Sequence, residues 1–208
     1  MSPASECSWR SPKRVFVNSM SDLFHENVSY EQRDRIFSVM FFAGQHIFQV
    51  LTKRPDAMLE YFSADNPRYT ARKIADAAYE MEIRDHCFDC DIYFPFPNVW
   101  LGVSVENQAA AHKRIPMLLK TPAAARFISA EPLLGSVDLT EIWDRDEDVD
   151  CLWNSLAPYH EFLNSDSMDI VAAAVDGVTK LDWVICGGES GPGARPMHPD
   201  WARSPRDQ

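Results

Sequence analysis

Five short apolar runs punctuate the chain, and each stops abruptly at polar or charged residues. Arg14 to Asn18 precedes Ser19, Asp22 and His25; His46 to Leu51 precedes Thr52, Lys53 and Arg54; Val99 to Val103 precedes Ser104 and Glu106. Arg126 to Ala130 precedes Glu131, and Trp183 to Cys186 precedes Gly187, Gly188, Glu189 and Ser190. Rich in Val, Ile and Phe and without polar alternation, such runs predict parallel strands buried on both faces. Polar side chains gathered at the carboxyl ends of parallel strands are the usual means by which α/β sheets and barrels build a site.

Helical periodicity fills the gaps. Ser29 and Gln32 form a capping-box pattern, after which Ile36, Val39, Met40 and Ala43 make an apolar stripe that stops at Gly44. Further helices are expected over Pro55 to Phe62 and over about Tyr69 to Arg84, the latter with Ile74, Ala77, Ala78 and Met81 in register. A fourth, from about Asn107 to Lys120, turns Ala111, Ile115 and Leu118 inward, and Pro116 within it predicts a kink or a split. The first-to-second and third-to-fourth strand spacings are about thirty residues, one βα unit each, whereas the other two are about twenty-five residues longer. The excess predicts two insertions in a single α/β domain spanning residues 1–208, at roughly 65–97 and 140–180. The second holds the acidic run Asp144 to Asp150 and the apolar stretch Ile170 to Val175. Five parallel strands are too few for a closed eight-strand barrel, so the expected fold is a partial (β/α) barrel or an open parallel sheet.

Composition narrows the classes. With 46% hydrophobic residues among 208, the chain can bury a sizeable core, and no stretch reaches the roughly twenty apolar residues of a membrane helix. The polar start, Met1 to Trp9, lacks the apolar centre of a signal peptide, which makes a cytoplasmic, non-membrane protein the expectation. A net charge of −11 argues against broad nucleic-acid binding. Five cysteines, an odd number, suggest reduced thiols.

The candidate chemistry lies at the strand ends. Glu106, Glu131 and Glu189 would converge on one rim of a parallel sheet, where only a cation, a Lys or Arg partner, or a shared proton would keep their carboxylates together. Lys53 and Arg54 are suitable partners; the alternative is that these are surface charges that never meet. Asn18, Ser19, Asp22 and His25 follow the first strand, with His25 available as acid, base or ligand or simply as a cap. Gly187 to Gly193 forms a backbone-exposing loop, with Arg195 adding charge, which reads equally as a structural turn or as a ligand cradle. It lacks the Gly-Lys-Ser/Thr ending of a P-loop. His198 reads as a loop residue. Cys87 and Cys90 have the C-x-x-C spacing, with His86 beside them, but no second ligand pair completes a zinc site, and no metal ligand is assigned. Cys186, ending an apolar run, reads as a small buried hydrophobe.

Five segments carry a resemblance: Val15 to His25, Gln49 to Pro55, Asn98 to Glu106, Phe127 to Gly135 and Asp182 to His198. In this order they resemble a phage-associated family of uncharacterised proteins with an amino-terminal three-cysteine motif, thought to be radical-SAM-like. The resemblance implies a partial (β/α) barrel, an iron-sulfur cluster, S-adenosylmethionine and a protein partner encoded nearby. On that scaffold the strand-end positions make Asn18, Ser19, Arg54, Ser104, Gly187, Gly188, Glu189 and Arg195 candidates for cofactor binding, and Glu106, Glu131, Lys53, Asp22 and His25 candidates for catalysis. In radical-SAM enzymes a Gly-Gly-Glu segment commonly contacts the amino group of the cofactor's methionine, though after an earlier strand. The chain departs from the family upstream of Val15, where a lone Cys7 stands in place of the cluster motif, and at its end, which suggests a fragment or truncated gene lacking the first and last barrel elements. Three functions stay open: a radical-SAM-like scaffold without its cluster motif, a cluster-free metal-dependent hydrolase using Asp22, His25, Glu106, Glu131 and Glu189, and a catalytically silent binding protein or remnant.

Overall fold

All five apolar runs form strands. In a computed structural model describing residues 9–63, 67–83, 95–145, 150–156, 160–162 and 180–208, the strands are β1 (Arg14–Val17), β2 (Ile47–Thr52), β3 (Val99–Ser104), β4 (Ala125–Ala130), β5 (Ile142–Arg145), β6 (Asp150–Trp153), β7 (His160–Phe162) and β8 (Trp183–Cys186). The helices are α1 (Tyr30–Phe42), α2 (Pro55–Ser63), α3 (Pro67–Glu80), α4 (Gln108–Lys120) and α5 (Pro199–Asp207). One sheet has the order β1-β2-β3-β4-β8 and is open, with β1 and β8 as its edges; a second, of order β5-β6-β7, is antiparallel. The pairs β1–β2 and β4–β8 are parallel. Cys7, His86, Cys87, Cys90, the Cys151 side chain and the stretch Ile170 to Val175 lie outside the described residues.

The chain divides into two compact units, Met1–Leu101 with Thr121–Ala125, and Gly102–Lys120 with Arg126–Gln208. In the first, α1 starts at the Ser29–Gln32 capping box, with both reciprocal hydrogen bonds formed. Its buried face differs from the predicted stripe. Arg33, Asp34, Phe37, Ser38 and Met40 are buried, while Val39 is 45% exposed. Phe37 sets that face: fully buried, it meets Phe24, Tyr61, Phe62 and Phe96 at ring-centroid distances of 5.1 to 6.4 Å. Two charged residues are carried inward beside it because each has partners. Arg33 donates to the Leu23 and His25 carbonyls and stacks over the Phe24 and Tyr30 rings, and the Tyr61 hydroxyl donates to Asp34 at 2.6 Å. Burial holds the Asp34 carboxyl above its ordinary range. The Ser38 hydroxyl donates to the Ile74 carbonyl on α3. Asn98, just before β3, donates to the Met40 and His46 carbonyls and accepts from the Phe48 N–H, so one side chain and its backbone tie the end of α1 to β2.

In the second unit, Val103, Val105, Ala111, Ile115, Leu118, Phe127, Ile128 and Leu139 form a buried core. Gly102 makes room for Phe127: a Cβ there would stand 2.6 Å from the ring. The predicted split at Pro116 does not occur. Pro116 is buried within an unbroken α4, held by the burial of Ile115, Leu118 and Leu119 around it. The antiparallel sheet falls in the second predicted insertion, and the His112 imidazole on α4 accepts the Trp143 N–H of β5 at 3.0 Å.

The expectation that every strand is buried on both faces fails at the edges. β1 alternates exposed and half-buried residues, and β8 is half-buried with Cys186 exposed, because an edge strand has a neighbour on one side only. Cys186 is therefore not the buried hydrophobe expected of it. Among the described residues no helix is long and apolar enough to cross a membrane.

Candidate functional site

The predicted site residues fall into two groups, one in each unit. In the first unit the chain leaves β1 through Asn18, whose φ of 57° turns the backbone into the left-handed region and whose carbonyl accepts the Ser21 N–H. Asn18 and Ser19 are exposed. Asp22 lies at the centre of the group. Its Oδ1 accepts from the Phe24 N–H at 2.9 Å and the Thr52 hydroxyl at 2.8 Å, and its Oδ2 from the Lys53 N–H at 3.1 Å and Arg54 Nη1 at 3.0 Å. Thr52 Oγ1 in turn accepts the Arg54 N–H. Burial is the largest single influence on the Asp22 carboxyl and pushes its pKa up, yet the four donors together outweigh it and hold the group below its ordinary value. A carboxylate with four donors is a strut joining the β1 turn to the end of β2. Lys53 contributes its backbone N–H, and its side chain is exposed. His25 is half-buried, and its Nδ1 accepts the Asn27 N–H at 3.1 Å, a capping role.

In the second unit the turn after β4 stitches three strand ends together. The Leu133 N–H donates to the Gly187 carbonyl after β8, and the Leu134 N–H to the Glu106 carbonyl after β3, at 2.9 and 2.7 Å. Two of the three candidate glutamates, all of which lie in this unit, carry their own arginine. Glu106 pairs at 2.8 Å with Arg114 of α4, which also donates to the carbonyl of the buried Ser104. Glu189 is held by Arg195 in a fork: Nε and the backbone N–H on Oε2, Nη2 on Oε1. Gly191 and Gly193, at φ of 102° and 79°, turn the loop so that this pair can close.

Glu131 differs from them. It is exposed and lies beside Cys186, and among the described residues no cation pairs with it. Its carboxylate packs so closely on Gly187 that a Cβ there would strike it. Gly188 faces Met197, and a Cβ on it would come within 3.3 Å of that side chain. The Cys186 thiol is pushed up in pKa by partial burial and then by the Glu131 charge, which disfavours the thiolate. His198 caps α5, its Nδ1 accepting the Asp200 N–H.

Sequence reasoning found the carboxylates and Arg195 but missed Thr52 and Arg114. Arg114 sits eight residues after Glu106, a separation that only the path of the loop and first turns of α4 brings into contact. The pairing proposed for Lys53 and Arg54 went to the glutamates, whereas Arg54 serves Asp22. Arg195 holds the Glu189 carboxyl at a pKa of about 2 through its hydrogen bonds. In a carboxyl-carbon NMR titration Glu189 is accordingly expected to show its midpoint near that pH, well below the ordinary glutamate range. Arg195→Ala should return its midpoint to the ordinary glutamate range, whereas an unchanged midpoint would show that the fork does not persist in solution.

No curated protein and no solved structure matches the chain. A family model does match, over residues 3–208, and on that match the chain belongs to the family described as Protein of unknown function (DUF5131).

Proposed function

We propose that the chain is a phage-type, radical-SAM-like scaffold that binds the amino-acid end of S-adenosylmethionine at Glu131, Gly187 and Gly188. The observation that carries the reading is the contrast among the strand-end acids: Asp22, Glu106 and Glu189 are each engaged by an arginine, whereas Glu131 is exposed and, among the described residues, without a cation. An ionised carboxylate beside a backbone-exposing glycine pair suits an ammonium group, as the donor chemistry of S-adenosylmethionine requires. When bound, that cofactor supplies a sulfonium centre activated toward transfer or cleavage. Glu131 would accept hydrogen bonds from the ammonium, and Gly187 would keep the carboxylate in place by leaving room for it. Glu106 with Arg114, and Glu189 with Arg195, would hold the surrounding loops in shape.

The iron-sulfur cluster that the resemblance implies would need several thiolates, and among the described residues Cys186 is the one cysteine side chain. No cluster chemistry is assigned to them. A metal-dependent hydrolase has less support. Three of its four carboxylates are neutralised by arginine, His25 Nδ1 is occupied by a backbone N–H, and among the described residues no group of three or more His, Cys, Asp or Glu could hold a metal ion. A silent binding protein is what remains if the ligand binds and no turnover follows.

Calorimetric titration of the purified chain with S-adenosylmethionine tests the proposal. Glu131→Gln is expected to weaken binding about tenfold or more, the worth of one hydrogen bond to a charged group. Glu106→Gln and Glu189→Gln should change it about twofold at most. Failure of the wild-type chain to bind, or equal binding by Glu131→Gln, would remove the reading.

A further inference from the structure

A different face of the first unit carries an independent signal. In the β1–β2 register Arg14 stands beside Ile47 and Phe16 beside Gln49, so these four, with Leu51, point to one side of the sheet. The other side of β2 holds Phe48, Val50 and Thr52, all buried. Trp100 of β3 belongs to the Gln49 side, because the Arg14 guanidinium lies over its ring at 5.4 Å. This side is the less covered of the two: Phe16 is 40% exposed, and Ile47, Leu51 and Trp100 are half-buried. Gln49 is the exception, only 5% exposed, and among the described residues its Nε2 is the one buried side-chain nitrogen or oxygen with no hydrogen-bond partner. A primary amide carries two N–H donors, and native interiors rarely leave such a group unmatched.

We infer that this face is a binding site for a planar heteroaromatic ring whose edge presents a hydrogen-bond acceptor, a ring nitrogen or a carbonyl oxygen, to Gln49 Nε2. The two flanking aromatic residues select for a flat, apolar body, and the unmatched donor selects for an acceptor on its rim. Arg14, an exposed side chain already resting on Trp100, is the cover such a ring would displace, the ring taking the place of the guanidinium on the indole. The site uses none of the residues assigned to S-adenosylmethionine and stands or falls separately.

The test compares benzimidazole with indole, bicyclic rings of nearly the same shape of which only the first has a ring-nitrogen acceptor. Side-chain amide signals of the ¹⁵N-labelled full chain are followed by NMR, with that of Gln49 identified by its loss in Gln49→Leu. Benzimidazole is expected to shift the Gln49 signal and to bind at least tenfold more tightly than indole. Gln49→Leu, and Gln49→Met as the variant closer in shape, should abolish that preference while unfolding at a temperature no lower than the wild type. Equal affinity for the two rings would overturn the inference. So would a Gln49 signal that neither ring moves, the result expected if a fixed water satisfies the amide.

Discussion

Phe37→Ala is expected to destabilise the protein by about 3–5 kcal/mol, the usual cost of removing a buried aromatic ring from a core that cannot collapse around the gap. Phe37 has no exposed surface and touches four other aromatic rings, contributed by α2, by the loop after β1 and by the segment leading into β3. No single neighbour can move into the space without abandoning its own contacts. The same position explains why Arg33 and Asp34 are buried: their partners, the Leu23 and His25 carbonyls and the Tyr61 hydroxyl, belong to the framework that Phe37 organises. Urea unfolding followed by tryptophan fluorescence would measure the loss, and a change below about 1 kcal/mol would mean that the aromatic cluster is not the core of this unit.

The second large effect is expected at Asp22. Asp22→Ala removes the acceptor of four hydrogen bonds and should cost about 2–3 kcal/mol at neutral pH, within the range for hydrogen bonds to a charged group. The estimate stays modest because Arg54, its ion-pair partner, is 40% exposed. The effect depends on pH with a definite sign. The folded-state pKa of Asp22 lies below the ordinary value, so its contribution is fully present above the unfolded-state pKa of about 4 and is lost as pH falls through the lower, folded value. The stability gap between wild type and Asp22→Ala should narrow below about pH 4. A gap that stayed constant to the lowest pH at which the protein folds would show that the carboxylate charge is not what the four donors read.

Much of the fold was legible because burial on both faces writes itself as continuous apolar runs. β2, β3 and β4 lie within a residue or so of where the runs placed them, and the Ser29 capping box fixed the start of α1. Three things were hidden. The antiparallel strands β5 to β7 are three or four residues long and one of them begins in the acidic run, too short to show a period. The buried face of α1 was misjudged because hydrophobicity alone cannot reveal that Arg33 and Asp34 have partners inside. The edge strands β1 and β8 have the composition of central ones, and only the sheet order shows that each lacks a second neighbour.

The site was legible in kind and not in pairing. Position after a strand singled out Asp22, Glu106, Glu131 and Glu189, but whether each acid is a strut or a ligand group depends on which cation reaches it. For Glu106 that cation is Arg114, brought round by α4; for Glu189 it is Arg195, brought back by two glycines in left-handed conformations. Glu131 is set apart by the lack of a cation reaching it among the described residues and by the closeness of Gly187, and neither property has a signature in sequence.

The distinction between Glu131 and the three engaged acids is tested most directly by following the side-chain carboxyl carbons of Asp22, Glu106, Glu131 and Glu189 by NMR while S-adenosylmethionine is added to the full chain. The Glu131 signal should move and saturate with the ligand, while the other three, held by Arg54, Arg114 and Arg195, stay in place. A still Glu131 with shifts at Glu106 or Glu189 would contradict the account.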